Sequence, residues 1–311
     1  MRRLARRFYT EAIRQLDRAC EARARRTAFG ELPPRLALHT VYQVLFDHPP
    51  DPAAYQVILP RLVSGEMSNR DVLELATTWP EYRERPAYSG NNLHLSLHRS
   101  RCEFIQSLPR AATIVDLGGV DRNDPRGALV TLGYPYGFDS LTVVDLPSTE
   151  RHHLYESDEH HETIDTARGP VTYRYHSMSD LGHIADDSVD LVYSGQSIEH
   201  VTPEDGDRTL REAFRVLRPG GHLALDTPNA RVTRLQQADF IDPDHKVEYT
   251  WPQLRPVLEA AGFRVCRALG LNYAGKSLDQ GSFDPAEVAA NCGMYDPAED
   301  CYLLAAVATK P

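Results

Sequence analysis

Long apolar runs are missing from this sequence. No stretch approaches the ~18 consecutive apolar residues that a membrane-spanning helix needs, so a helical membrane span is not expected. Cysteine is scarce, odd in number and scattered, at Cys20, Cys102, Cys266, Cys292 and Cys301. No CxxC pair and no secretory signal accompany it, which argues against a disulfide framework and for a reducing, cytoplasmic location. Excess positive charge is lacking too: 34 Lys and Arg face 44 Asp and Glu, a net charge of −10. The resulting field repels phosphate backbones, so nucleic acid is not an expected partner unless a local basic patch provides the contact. Lysine occurs only at Lys246, Lys276 and Lys310. Nine arginines crowd the first 26 residues, but Glu11, Asp17 and Glu21 interleave them, so the segment reads as a solvated helix face rather than a nucleic-acid arm or a targeting peptide.

The 311 residues suffice for a large α/β domain and a smaller appendage. The division is expected after residue 108. Residues 1–28 read as a helix ended by the prolines of ELPP at 31–34. Amphipathic stretches broken by Pro or Ser-Gly fill 37–85, and Ser68-Asn69 before DVLELATTW is an N-cap signal. This part resembles a small helical module appended to bacterial surface and glycan-processing proteins.

From Ala111 onward, short apolar runs alternate with helical patterns. The runs lie at 111–117, 141–146, 171–176, 189–194, 222–227, 263–271 and 301–309. Seven strands so spaced imply a Rossmann-like, seven-stranded, mostly parallel sheet covered on both faces, over 109–311. Leu210, Phe214 and Leu217 mark a connecting helix that RPGG at 218–221 is expected to end. A polar insert before the last strand, up to Asp300, is placed to shape a substrate pocket.

IVDLGGVDRND joins a strand end, an acid and two glycines, and the second strand ends in VVDLPS. In doubly wound sheets ligands sit beyond the carboxyl ends of the strands; glycine lets the backbone approach, and an acid after the second strand can hold ribose hydroxyls. A nicotinamide reading would need GxGxxG, which is absent. With DDSVDLVYS, SIEHV, EAFRVLRPGGHLALDTPN and YTWPQLRPVLEAAGFRV, these residues resemble the class I S-adenosylmethionine-dependent methyltransferases across 111–310. The resemblance implies a donor site of Asp116, Gly118, Gly119, Asp145, Leu146 and Ser194. It also implies that HSMSDLGHI covers the adenine through Ser177, Met178 and Ser179. Val120, Asp121 and Arg122 follow Gly119 where that family usually carries further glycine, a departure at the methionine end of the donor.

Methyl transfer to an alcohol requires alignment and removal of a proton. SGQSIEHV ends the fourth strand, and DFIDPDHKVEYTW follows the fifth. The pairing resembles metal-dependent small-RNA 2′-O-methyltransferases, and its first half resembles ubiquinone-pathway O-methyltransferases. In these the pattern E-x-x-E-H and the histidine of DHK hold a divalent ion. The implied metal and catalytic residues are Glu199, His200 and His245, with Gln196 in the place of the first glutamate. Mg²⁺ and Mn²⁺ are the candidate ions, and mixed carboxylate and imidazole ligands suit Mn²⁺ or Zn²⁺ better than the oxygen-seeking Mg²⁺. Two other readings stay open at this corner: His200 as a general base without metal, and a purely structural role. The four histidines of 152–163 read as a solvated insertion, a possible lid over the sheet. His94 and His98, one turn apart, face either the pocket or the sheet.

The layout from DTPN to AGF resembles methyltransferases found beside glycan-building enzymes, which implies a small-molecule or oligosaccharide acceptor methylated on a hydroxyl. Rivals are an RNA 3′-end 2′-O-methyltransferase, a natural-product methyltransferase and a non-catalytic binding protein with a degenerate donor site. Association into a homo-oligomer is left open.

Overall fold

All seven apolar runs become strands in the computed structural model, which describes residues 32–46, 50, 52–76, 86–121, 124–151 and 159–311. The arginine-rich segment 1–26, Arg122 and residues 152–158 of the histidine-bearing loop lie outside the described residues. The chain divides into two compact units, Met1–Tyr88 and Ser89–Pro311, earlier than the division expected after 108.

In the first unit, helices Pro34–Phe46 (α1), Pro52–Ser64 (α2) and Asn69–Ala76 (α3) gather Leu38, Val41, Tyr42, Ile58, Leu62 and Val72 into a small core. The expected N-cap is present: Ser68 Oγ accepts from Asp71 N–H at 3.2 Å, and Asp71 Oδ2 accepts in return from Ser68 N–H at 2.7 Å.

Among its described residues the second unit holds nine strands rather than seven. They are Thr113–Leu117 (β1), Ser140–Asp145 (β2), Ile164–Thr166 (β3), Gly169–Tyr175 (β4), Val189–Gly195 (β5), Leu217–Pro228 (β6), Arg264–Tyr273 (β7), Met294–Tyr295 (β8) and Cys301–Thr309 (β9), in the order β3-β4-β2-β1-β5-β6-β9-β7-β8. The five strands β4, β2, β1, β5 and β6 run parallel, while β9, β7 and the two short edge strands pair antiparallel. The two extra strands, of three and two residues, are too short to display a period of two. Every residue of β9 is buried, in keeping with a strand that lies between β6 and β7 and is covered on both faces. β6 begins at Leu217, before the expected 222: RPGG does not cap the preceding helix but enters the strand, with Gly220 at φ 79° and a register shift opposite Val189 to Leu191.

Each face of the sheet carries its own core. On one side, Pro86–Gln106 (α4), Ala128–Thr131 (α5), Ala230–Gln236 (α7) and Pro285–Ala290 (α10) send Phe104, Ile105, Leu129, Val232 and Val288 against Ile114, Leu141, Val143, Leu191 and Tyr193. On the other, Pro203–Val216 (α6) and Trp251–Ala260 (α8) send Leu210, Ala213, Leu254 and Leu258 against Val115, Val144 and Val192. Successive strand residues thus serve opposite layers, as pleating requires. Gly275–Gln280 (α9) belongs to the insert before β9. Because β1, β2, β4, β5 and β6 are parallel, their carboxyl ends share one edge, and that edge carries the expected site residues.

Candidate active site

At this edge β1 and β2 finish side by side, Leu117 paired with Val144. The chain then turns at Gly118, whose φ of 69° suits glycine and whose N–H donates to Val144 O at 2.8 Å. A Cβ on Gly118 would stand 2.5 Å from Ser197 Cβ, and one on Gly119 would stand 2.2 Å from Asp116 Oδ2. Both positions that need glycine therefore have it. Val120 is tolerated next, and its N–H donates to Asp145 Oδ2 at 3.2 Å while Leu146 N–H donates to Oδ1 at 2.8 Å. Burial raises the Asp145 carboxyl above its ordinary range, opposed by Arg151 and by these two N–H groups. Asp116 is wholly enclosed: Oδ2 accepts from Leu129 N–H at 3.1 Å, and Oδ1 is buried with no partner. Burial pushes its carboxyl up to about 7, the Leu129 N–H opposing.

The remaining donor candidates surround that turn. Met178 packs against the core, its Cε 3.7 Å from where a Gly118 Cβ would lie, and Ser177 and Ser179 join their hydroxyls at 2.8 Å. Ser194 Oγ meets Ser197 Oγ at 2.7 Å, and Ser197 donates to Leu117 O at 2.8 Å, linking the ends of β5 and β1. Leu146 is exposed.

Beyond β5 the chain bends at Gln196, a non-glycine residue at φ 54°. Its backbone N–H donates to Asp226 O at 2.8 Å, and its side-chain Nε2 donates to Asp226 Oδ1 at 2.9 Å. Gln196, the expected neutral substitute for a metal-binding glutamate, thus commits its amide to Asp226. The same buried carboxylate accepts from Arg101 Nε of α4 at 2.7 Å and from the Tyr193 hydroxyl, and Arg101 also reaches Tyr193 Oη at 3.3 Å. A side chain at Gly195 would collide with that hydroxyl.

Glu199 lies in a single 3-10 turn, Ile198–His200, and caps no helix; α6 takes its N-cap from Thr202. Glu199 is fully buried, Oε2 accepts from Thr227 Oγ at 2.9 Å, and Oε1 has no partner. Burial pushes its carboxyl up to about 8, opposed by its own backbone N–H and by Thr227. The segment carrying DHK is hung from this turn, since Lys246 N–H and Val247 N–H both donate to Glu199 O, at 2.8 and 3.2 Å. His245 thereby reaches His200, ring centroids 4.8 Å apart at 79°. One ligand atom from each of Glu199, His200 and His245 falls within 4.8 Å of the others, and among the described residues no other three His, Cys, Asp or Glu side chains gather in this way. Burial, then His245, lowers the pKa of the His200 imidazole. An enclosed carboxylate oxygen without a hydrogen-bond partner beside two imidazoles fits a divalent cation, because oxygen and imidazole ligands of this kind suit Mn²⁺, Zn²⁺ or Mg²⁺.

Other expected residues stand apart. His94 and His98 are exposed on α4, and His161 lies on the surface, 3.6 Å from Glu159 and edge-on to the Tyr175 ring. Sequence reading missed Arg101, Tyr193, Ser197, Asp226, Thr227 and Glu248. The adjacent Asp226 and Thr227 at the end of β6 carried a usable signal: consecutive polar residues closing an apolar strand point to opposite faces, one to Gln196 and the other to Glu199.

Residues 132–225 match the family described as a methyltransferase domain. Over 150 residues the chain is 37% identical to a probable S-adenosylmethionine-dependent methyltransferase of Mycolicibacterium smegmatis, covering 46% of this chain and 56% of that protein. Over 133 residues it is 36% identical to one from Mycobacterium tuberculosis, covering 40% and 47%. The chain thus spans about half the length of these curated relatives. In fold it is similar to a solved S-adenosylmethionine-dependent methyltransferase of Thermotoga maritima, with a TM-score of 0.50 at 18% identity over 73% of this chain and 97% of that one. The family match over 132–225, the curated relatives and the fold all point in one direction: this chain is similar to S-adenosylmethionine-dependent methyltransferases, and residues 132–225 match a methyltransferase domain.

Proposed function

We propose that this methyltransferase domain transfers the methyl group of S-adenosylmethionine to a hydroxyl of a carbohydrate, of mannoside or oligosaccharide type, with Glu199, His200 and His245 holding a divalent ion. The observation that carries the metal is the buried, unpartnered Glu199 Oε1 beside two imidazoles, on the sheet edge that also bears the Gly118 turn. The carbohydrate class is supported by the resemblance of the DTPN-to-AGF layout and of the helical module to proteins of glycan assembly, and by a net charge of −10 that disfavours RNA.

In the transfer, the acceptor oxygen attacks the methyl carbon in line, the carbon–sulfur bond breaks with its electron pair going to sulfur, and the acceptor's proton is released to solvent. In this reading Asp145 accepts from the ribose hydroxyls, and the Gly118–Gly119 turn lets backbone approach the donor without Cβ atoms in the way. A bound divalent ion would lower the pKa of an acceptor hydroxyl by several units. Glu199 and the two histidines fix where that oxygen is presented, and the packed corner restricts water.

A second reading gives His200 the acceptor's proton directly, without metal; its lowered pKa favours a neutral imidazole able to act as base near pH 7. Transfer of tritiated methyl onto a saccharide panel, with and without excess EDTA, separates the two. Loss of turnover in EDTA, restored by Mn²⁺ or Mg²⁺, is the expected result. Undiminished turnover assigns His200 as the base, and a His200→Ala variant with normal turnover rejects both roles.

A further inference from the structure

Glu248 belongs to none of the roles above, yet it is among the most fully engaged side chains in the unit. It is 6% exposed, and both of its oxygens are spoken for. Oε1 accepts from Ile241 N–H at 2.9 Å and lies 2.8 Å from His245 Nδ1. Oε2 accepts from the Thr233 hydroxyl at 2.6 Å and from the Arg234 guanidinium at 3.0 Å. Two of these neighbours, the Ile241 N–H and the Arg234 guanidinium, can only donate, and the second is a cation. A carboxylate in that setting is an acceptor at every lone pair, so the hydrogen between it and His245 belongs to the imidazole.

We propose that Glu248 is the positioning residue of the site: it holds His245 as the Nδ1–H tautomer, so that Nε2 keeps its lone pair for the cluster with Glu199 and His200. A neutral imidazole has one donor and one acceptor nitrogen, and fixing the first fixes the second. Carboxylates placed behind a ligating histidine set ring orientation and tautomer in this manner. The surroundings of Glu248 are built to keep it an acceptor. Thr233 and Arg234 come from α7, whose first turn is anchored by Asn229 at the end of β6, and Arg234 is itself steadied by Asp239 O at 2.8 Å and by the Phe240 ring at 4.8 Å. Strand end, helix and loop therefore converge on one nitrogen of one ring. The inference rests on the proposed role of His245 as a ligand, but the tautomer itself is measurable without metal.

The test uses the full chain labelled with [¹⁵N]histidine, with a His245→Asn variant to assign the His245 signals. Long-range ¹H–¹⁵N correlation is expected to find His245 protonated at Nδ1 in the metal-free protein. Glu248→Gln presents an amide that can donate to Nδ1; it is expected to move His245 towards the Nε2–H tautomer and to weaken Mn²⁺ binding, measured by calorimetry, by about 10–100-fold, with S-adenosylmethionine affinity unchanged. Thr233→Val, which keeps the carboxylate, is expected to retain Nδ1–H. An Nε2–H tautomer in the unaltered chain overturns the proposal, as does a Glu248→Gln protein with the tautomer and Mn²⁺ affinity of the parent. If the tautomer shifts as expected but the parent binds Mn²⁺ no better than His245→Asn, the positioning role stands and the metal reading falls.

Discussion

Single residues at this edge show why the sequence departs from the pattern it resembles where it does. Gly119 is required by the Asp116 carboxylate pressed against it, and Val120 is admitted because its N–H serves Asp145 while its side chain packs against the core. Gln196 stands where the resemblance to metal-dependent methyltransferases implies a glutamate, and its amide donates to Asp226. Gln196→Glu would set two carboxylates face to face, so this variant is expected to lose on the order of 1–3 kcal/mol in urea unfolding. Asp116 gives a pH signature. Its carboxyl titrates at about 7 in the folded chain, against 3.8 when unperturbed, because burial disfavours the charged form. A raised acid pKa means the folded state holds its proton longer. The associated stability is present in full below pH 3.8, declines as pH rises, and is gone above 7. Asp116→Asn lacks that slope, so its stability relative to the parent is expected to rise by on the order of a few kcal/mol between pH 4 and 8, read from denaturant midpoints across that range.

Among elements, α4 and β6 are joined by the Arg101–Asp226 pair, with the carboxylate fully enclosed and the Arg101 side chain 19% exposed. Removing one partner of such a pair strands the other charge. Arg101→Met is expected to cost about 3 kcal/mol in urea unfolding, and to disturb the Gln196 bend that shares Asp226. The elements themselves were legible where their pattern was long: β5 and β9 read as apolar runs because both of their faces are covered, and α6 read from Leu210 and Phe214. β3 and β8 were not, being edge pieces too short for any period. RPGG misled because Gly-Gly after a helical stretch serves a helix stop and a bulged strand start equally well. For the site, Glu199, His200 and His245 were found through local motifs, whereas Arg101 lies 125 positions from Asp226 and nothing local announces the contact. Glu248 stands three residues after His245, a spacing that sequence alone does not distinguish from a loop acid.

For the molecule as a whole, no described helix is long and apolar enough to cross a membrane. A ligand that binds only the folded chain must raise its stability. S-adenosylmethionine at 100 times its dissociation constant is expected to add about 2.7 kcal/mol, moving the calorimetric melting midpoint upward by about 4–6 °C. No upward shift at millimolar donor would reject the donor site and with it the proposed activity.

The two peptide N–H groups of Lys246 and Val247 that hang from the Glu199 carbonyl also set a rule for loop grafting. A segment transplanted from a relative to change acceptor preference inherits its alignment from that backbone suspension, whatever side chains it brings. Grafts that begin after Val247 leave the suspension intact, and those that span it must rebuild both hydrogen bonds before any new specificity can register.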